Sequence, residues 1–285
     1  IRKARLSVVM DCANGAGSFV APAILGELGC QVTTLNARLD EFAGPRTFEQ
    51  VPSSISNLAQ VVKALGADIG ITLDGDADRV IFVDEAGDVL SGDMSLTLVA
   101  REKVKEHNGG RVVVPVTTSR MINRIVEPEG GEVIRSKLGA RSLLDAIVNH
   151  QAIFGGEETG GFIFPEFQMG FDGIFTSAKV IEILTKENVK LCRLHREMPS
   201  LYMAKESVPC PLERRGRIMR SLIEEFRDSQ IDTIDGIKMF YDDRWILMRP
   251  SPEEPVINLY AEAPSRETAD KIIQEYAEKI RGLIS

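Results

Sequence analysis

Apolar and polar positions along the first ninety residues repeat an order of strand and helix. Leu6 to Met10 is a short apolar run ending in Asp11-Cys12-Ala13-Asn14-Gly15-Ala16-Gly17. Helical spacing follows over Phe19 to Leu28, stopped by Gly29, and Gln31 to Leu35 is the next strand. Asp40 to Ser54, rich in Gly, Pro and Ser, reads as a loop, and Ile55 to Leu65 as a helix stopped by Gly66. Asp68 to Leu73 and Val80 to Val83 are strands flanking the acidic run Asp74-Gly75-Asp76-Ala77-Asp78-Arg79.

A second stretch repeats that order. Arg111 to Val116 is a strand, Met121 to Val126 a helix, Glu132 to Ile134 a strand and Ser142 to Val148 a helix. Ala152 to Phe154 and Phe162 to Phe164 are strands around Gly155-Gly156-Glu157-Glu158-Thr159-Gly160-Gly161. The last stretch differs, with a helix over Glu213 to Phe226 and strands Ile237 to Tyr241, Arg244 to Arg249 and Val256 to Glu262. Asp242-Asp243 turns the first hairpin, and a helix from Arg266 to Ile284 closes the chain. The predicted class is α/β: two similar sandwich domains with mixed or parallel sheets (1–92 and 93–200), then a smaller α+β domain (201–285). In such sheets the ligand crevice lies at the strands' carboxyl ends, where both acidic loops fall.

The 285 residues suit two or three domains, and no apolar run is long enough for a membrane-spanning helix. A net charge of −8 without a basic run disfavours nucleic acid but leaves room for a phosphorylated small substrate. Cys12, Cys30, Cys192 and Cys210 form no Cys-x-x-Cys pair and read as reduced packing residues of a cytoplasmic protein. The start, Ile1-Arg2-Lys3-Ala4-Arg5-Leu6, has neither an initiating Met nor a signal-peptide core, and reads as a cut into a larger protein.

Asp74, Asp76 and Asp78 place carboxylates at i, i+2 and i+4 of a strand-ending turn, kept slim by Gly75 and Ala77. Three aspartate oxygens that leave room for water and a phosphate suit magnesium. An EF-hand beginning at Asp74 would have Glu85 in its twelfth position, but its sixth, which must be Gly, is Arg79. An aspartyl-phosphate enzyme with Asp74 as nucleophile needs its later acidic pair in the same sheet, whereas Asp242-Asp243 lies in a hairpin of another domain. The Gly15-x-Gly17 turn has no third glycine, and the following strand ends at Asn36 rather than an acid; it reads as a helix entry, not a dinucleotide site.

With these residues in view, the chain resembles the α-D-phosphohexomutases (phosphomannomutase/phosphoglucomutase, including phosphoglucosamine mutase). Asp74 to Arg79 is similar to the family's metal loop. Glu157-x-Thr159-Gly160 resembles its sugar-binding loop, and Arg249-Pro250-Ser251-Pro252-Glu253-Glu254-Pro255 its phosphate-binding loop. The resemblance implies an enzyme in which a magnesium-bound phosphoserine phosphorylates a hexose phosphate, and the sugar 1,6-bisphosphate reorients and returns its other phosphate. It implies Asp74, Asp76 and Asp78 as magnesium ligands with Arg79 beside them. It further implies Glu157 and Thr159 on the sugar hydroxyls, Arg249 and Ser251 on the phosphate that is not transferred, and Lys137, in a Lys-x-Gly loop, as general acid or cationic clamp.

Two departures bear on that expectation. The family's Ser-His-Asn-Pro-type loop is absent, since none of His107, His150 and His195 is followed by Asn-Pro. A serine domain of the same parent is therefore the expected partner, and this chain alone is expected to bind hexose phosphates without turning them over. Pro252-Glu253 stands where the family has Gly-Thr, removing a backbone donor and adding a negative charge beside the phosphate. The alternatives left open are a non-catalytic sugar-phosphate or metal-binding module, and a phosphoglucosamine mutase.

Overall fold

Both halves of the α/β region are built on short strands, buried at the centre of each sheet and more exposed at its edges. In the computed structural model, which describes residues 5–38 and 51–284, the first stretch comprises β1 (Ser7–Asp11), α1 (Gly17–Glu27), β2 (Gln31–Leu35), α2 (Val51–Leu65), β3 (Ile69–Leu73) and β4 (Val80–Asp84). The sheet order is β2-β1-β3-β4, parallel except for β4, which returns antiparallel on β3. Every residue of β3 is buried, as expected of a central strand covered on both faces. Helix α2 begins at Val51, inside the segment predicted as loop; the rest of that prediction, residues 40–50, lies outside the described residues.

The second stretch runs α3 (Gly92–His107), β5 (Gly110–Pro115), α4 (Met121–Val126), β6 (Gly131–Ser136), α5 (Ala140–His150), β7 (Phe154–Gly156), β8 (Phe162–Phe164), β9 (Gln168–Phe171), α6 (Gly173–Glu187) and α7 (Leu191–Glu197). Its sheet order is β6-β5-β7-β8-β9, with β5 parallel to β7 and the last pairs antiparallel. Helices α3, α6 and α7 and strand β9 were not foreseen. Helix α3 is buried almost all round from Ser95 to Ala100 and again from Glu102 to Val104, so it lacks the polar stripe that marks an amphipathic helix. Lys103 tolerates this burial because its ammonium reaches Glu106 at 2.9 Å and Glu166 at 2.7 Å. Lys179 and Lys186 of α6 close on the same Glu106, each at 2.9 Å. Burial opposes ionisation of Glu106, yet the three lysines hold its carboxyl down to about 2.

The third sheet is antiparallel throughout. Strands β10 (Tyr202–Pro209), β11 (Ile231–Asp232), β12 (Ile237–Phe240), β13 (Trp245–Pro250) and β14 (Val256–Ala263) take the order β10-β14-β13-β12-β11, with helices α8 (Leu212–Glu225) and α9 (Arg266–Ile284). Strand β10 escaped prediction because it is a polar edge strand, partly exposed along most of its length. Along β13 the pleat sends Ile246 and Met248 into the helix-covered core, while Trp245 and Leu247 join Val116 on the other face. Arg249 follows in the same alternation, on the Trp245 and Leu247 face.

The chain divides into two compact units. One holds Ile1–Val114, Arg120–Ile134 and Leu143–Met198; the other holds Pro199–Ser285 together with Pro115–Ser119 and Arg135–Ser142. Two short segments from the second α/β stretch thus belong with the antiparallel sheet. In that unit the Lys238 ammonium donates to the Val116 carbonyl at 2.6 Å and lies 3.6 Å from the centre of the Trp245 ring.

In the first unit, the turn after β1 backs directly onto the acidic loop. Ala16 N–H donates to the Gly75 carbonyl at 2.9 Å, and a Cβ on Gly15 would overlap that same oxygen. The Gly15-x-Gly17 turn is a helix entry, and it also buttresses the loop across the sheet. Gly15→Ala is therefore expected to lower unfolding free energy by about 1–3 kcal/mol in urea titration, the usual cost of overpacking. Gly26→Ala in α1, with nothing within 4 Å of the added carbon, is expected to be neutral or stabilising.

Candidate functional site

Where β3 ends, the chain closes a tight loop on itself. Asp74 N–H donates to the Arg79 carbonyl at 3.3 Å, and Arg79 N–H donates back to Asp74 Oδ1 at 3.0 Å. Ala77 bends through the left-handed region, at φ 64°, where its small side chain limits the strain. Its carbonyl accepts from Gly173 N–H at 2.9 Å, at the start of α6. Asp172 caps that helix by accepting from Phe175 N–H at 2.7 Å, and its charge faces Asp78. The acidic loop is thus held from behind by the β1 turn and from beside by α6.

The electrostatics of this loop are unfavourable as it stands. Burial, reinforced by Asp76 and opposed by the Arg79 amide and guanidinium, pushes the Asp74 carboxyl up to about 6. Asp78 is also raised, by burial first and then by Asp76 and Asp172. The donor set is entirely hard carboxylate oxygen, the chemistry a small divalent cation prefers, and the mutual repulsion is what such a cation relieves. Among the described residues, however, no three acidic, His or Cys side chains are gathered into a finished cage. The loop matches magnesium in chemistry and charge, and it leaves part of the coordination to other ligands.

The second predicted loop joins β7 to β8 and packs against the first. Glu157 N–H donates to the Gly161 carbonyl at 2.9 Å, Gly160 N–H donates to the Glu157 carbonyl at 3.1 Å, and the Thr159 hydroxyl donates to Glu157 Oε1. Gly160, at φ 97°, lies so close to β4 that a Cβ would overlap the Val80 carbonyl, and Val80 N–H donates to the Gly160 carbonyl at 3.1 Å. Gly92, at the start of α3, leaves room for the Glu158 carbonyl in the same way. Arg79 spans both loops, with Nη2 3.4 Å from Glu157 Oε1 and Nη1 3.8 Å from Asp74 Oδ2. Its guanidinium also lies 5.8 Å from the centre of the Phe171 ring. Asp74, Asp76, Asp78, Arg79, Glu157 and Thr159 therefore belong to one continuous surface of one unit.

Lys137, Arg249 and Ser251 belong to the other unit. Arg249 Nε donates to Asp235 Oδ2 at 2.7 Å. Ser251 is buried; its hydroxyl accepts from Glu254 N–H at 3.2 Å and its carbonyl accepts from Arg215 Nη1. Lys137 is exposed in the turn between β6 and α5, two residues before Gly139 at φ 104°.

Models of three consecutive domains match the chain: phosphoglucomutase/phosphomannomutase alpha/beta/alpha domain II over residues 1–87, alpha/beta/alpha domain III over 91–202, and the C-terminal domain over 208–279. The chain belongs to the phosphoglucomutase/phosphomannomutase family.

Relatives within this family include a phosphoglucomutase/phosphomannomutase of Thermococcus kodakarensis, 39% identical over 96% of this chain and 60% of its own length. A Methanopyrus kandleri protein named "Probable phosphoglucosamine mutase" is 40% identical over 97% of this chain and 62% of its own. A solved phosphoglucomutase/phosphomannomutase family protein from Burkholderia thailandensis superposes with a TM-score of 0.87 at 26% identity, covering 98% of this chain and 60% of that one. The chain thus spans about 60% of the length of the relatives it matches. Of the residues that shape these loops, Asp172, Asp235 and Arg215 were not singled out from sequence, and Gly15 was read only as part of a helix entry. Asp172 had a legible signal, an acid directly before a helix; Arg215 had none, being one of several arginines on α8.

The raised Asp74 pKa has a definite sign. A carboxyl that holds its proton up to about 6 when folded, above the ordinary range near 3.9, adds protons to the native state. Stability from this group is therefore full below the ordinary value and lost as pH rises through about 6. Asp74→Asn keeps an acceptor for Arg79 N–H but cannot ionise. In the presence of a chelator it is expected to raise Tm by about 2–4 °C at pH 7.5 and to change it little at pH 4.

Proposed function

We propose that this chain supplies the metal, sugar and phosphate loops of a phosphohexomutase that interconverts hexose 6-phosphate and hexose 1-phosphate of the mannose/glucose type. The observation that carries the reading is Arg79, which ties the crowded aspartate loop to Glu157 in the sugar loop. A phosphoryl group needs charge neutralisation and positioning rather than covalent help from the protein, and these loops offer both. Asp74, Asp76 and Asp78 would hold magnesium, which when bound supplies positive charge to a phosphoryl oxygen. Arg79 places a second cation beside it.

In this reading Glu157, with Thr159 bonded to it, grips a pair of sugar hydroxyls. A carboxylate accepts equally well from either, so the sugar can be held in both of the orientations that a 1,6-bisphosphate intermediate requires. Arg249 takes the phosphate that is not transferred. Its Nε is committed to Asp235, while no other bond to its guanidinium is found among the described residues, so Nη1 and Nη2 are available as a bidentate fork. Ser251 adds its hydroxyl. Lys137, exposed and without a partner among the described residues, serves as cationic clamp or general acid. The serine that carries the phosphoryl group is assigned to a further domain of the same parent. Phosphoglucosamine as substrate is the second reading, favoured by relatives of that name at 36–40% identity.

The decisive assay mixes this chain with the serine-bearing domain of a family member, magnesium and glucose 1,6-bisphosphate, and follows glucose, mannose and glucosamine phosphates separately. Mutase activity on glucose or mannose phosphate is expected. Activity on glucosamine phosphate alone would select the second reading, and no activity with a serine domain competent in its own parent would sink both. Glu157→Gln is expected to lower kcat/KM by about 10²-fold or more, as loss of a charged sugar contact should. In a titration without substrate, magnesium is expected to raise the unfolding free energy of the chain by about 2–3 kcal/mol at a hundredfold excess over Kd. Asp76→Asn should abolish most of that gain.

A further inference from the structure

Between β11 and β12 the chain passes through Asp235-Gly236, a dipeptide whose geometry serves one side chain. Gly236 sits at φ 104°, and a Cβ there would overlap the Met248 carbonyl and come within 3.0 Å of Arg249 Cα. The β12–β13 register, with Ile237 opposite Met248, carries Gly236 alongside Arg249. This close approach delivers the Asp235 carboxylate to the guanidinium. Oδ2 accepts from Arg249 Nε at 2.7 Å and from the Leu138 backbone N–H at 3.0 Å. One oxygen therefore joins the arginine of the phosphate loop to the residue next to Lys137. Both side chains of the ion pair are largely buried, at 15% and 18% exposure, so solvent screens the pair only partly.

We propose that Asp235 is a positioning residue, which fixes the Arg249 fork through Nε and locks the Lys137-Leu138-Gly139 turn in register with it. The proposal rests on the reading of Arg249 as a phosphate ligand and adds how that ligand is aimed. Two consequences pull in opposite directions. As a negative charge near the phosphate, Asp235 opposes anion binding; as an acceptor for Nε, it holds the guanidinium plane still without engaging the terminal nitrogens. An arginine without that bond keeps its charge and loses its fixed geometry. Which effect wins decides whether Asp235 is a positioning residue or only a counter-charge, and the two outcomes differ in sign.

The test uses the 285-residue chain with inorganic phosphate as probe, by calorimetric titration, together with amide hydrogen exchange at Leu138. Asp235→Asn removes the charge and keeps one acceptor oxygen for both Arg249 Nε and Leu138 N–H. It is expected to leave phosphate binding within about threefold or to tighten it, with Leu138 exchange changed less than about threefold. Asp235→Ala removes the acceptor as well, and is expected to weaken phosphate binding by about 5- to 10-fold and to speed Leu138 exchange by about tenfold or more. Asp235→Glu, which restores the charge but misplaces it, should not recover phosphate affinity. Unchanged or tighter phosphate binding by Asp235→Ala would overturn the positioning role, as would an unaltered Leu138 amide in the same variant. If the parent chain binds no phosphate and Arg249→Met matches it, the phosphate reading itself fails. The Leu138 exchange of Asp235→Ala still decides whether Asp235 holds the turn.

Discussion

The acidic loop gathers negative charge faster than the protein around it can neutralise that charge. Asp74 and Asp78 titrate high because burial withholds water while Asp76 and Asp172 stand close. Such a cluster survives folding only where the backbone gives the carboxylates no freedom to separate. The structure supplies that restraint with bonds that do not involve the carboxylates' own charge. The β1 turn donates to the Gly75 carbonyl, α6 donates to the Ala77 carbonyl, and Asp74 N–H donates to the Arg79 carbonyl. The fixed backbone and the unresolved repulsion together make the loop a receptor for positive charge.

Among the described residues, Arg79 is the cation that reaches both acidic loops, and its position follows from the sheet. Strand β4 leaves the loop antiparallel to β3, so the first residue after the aspartates is carried towards Gly161 in a single bridge between the loops. The glycines at 92 and 160 permit that approach, since a side chain at either position would strike the opposing backbone. The two loops, far apart in sequence, therefore depend on three small features of backbone geometry more than on their own side chains.

Much of this was legible in the sequence. The strand–helix order of the first unit, the hairpin at Asp242-Asp243 and the long closing helix have strong periodicity or turn chemistry, and they appear with boundaries within a few residues of those expected. Helices α3 and α6 did not, because burial on nearly all sides and a lysine–glutamate network inside the helix pair erase the pattern that amphipathicity would leave. Strand β10 was hidden by the opposite condition, a polar edge. The aspartate loop was readable because its chemistry is local, three acids in five residues. Asp235 was not, because its importance lies in two partners, Leu138 and Arg249, that sequence distance conceals.

The departure at Pro252-Glu253 takes on a different weight once Asp235 and Arg215 are considered with it. A phosphate loop that draws its donors from its own backbone suffers directly when proline removes one and glutamate adds charge. Here the loop is shaped from outside: Arg215 holds the Ser251 carbonyl, Cys210 N–H donates to the Pro255 carbonyl at 2.7 Å, and Asp235 orients Arg249. With its shape fixed by these neighbours, the loop can give up a backbone donor at Pro252 and still present the guanidinium and the Ser251 hydroxyl. In the proposed site, recognition then rests less on several weak amide donors and more on one charged fork. On the proposed reading, phosphate binding depends on the geometry of a single arginine, and so on the carboxylate that holds it.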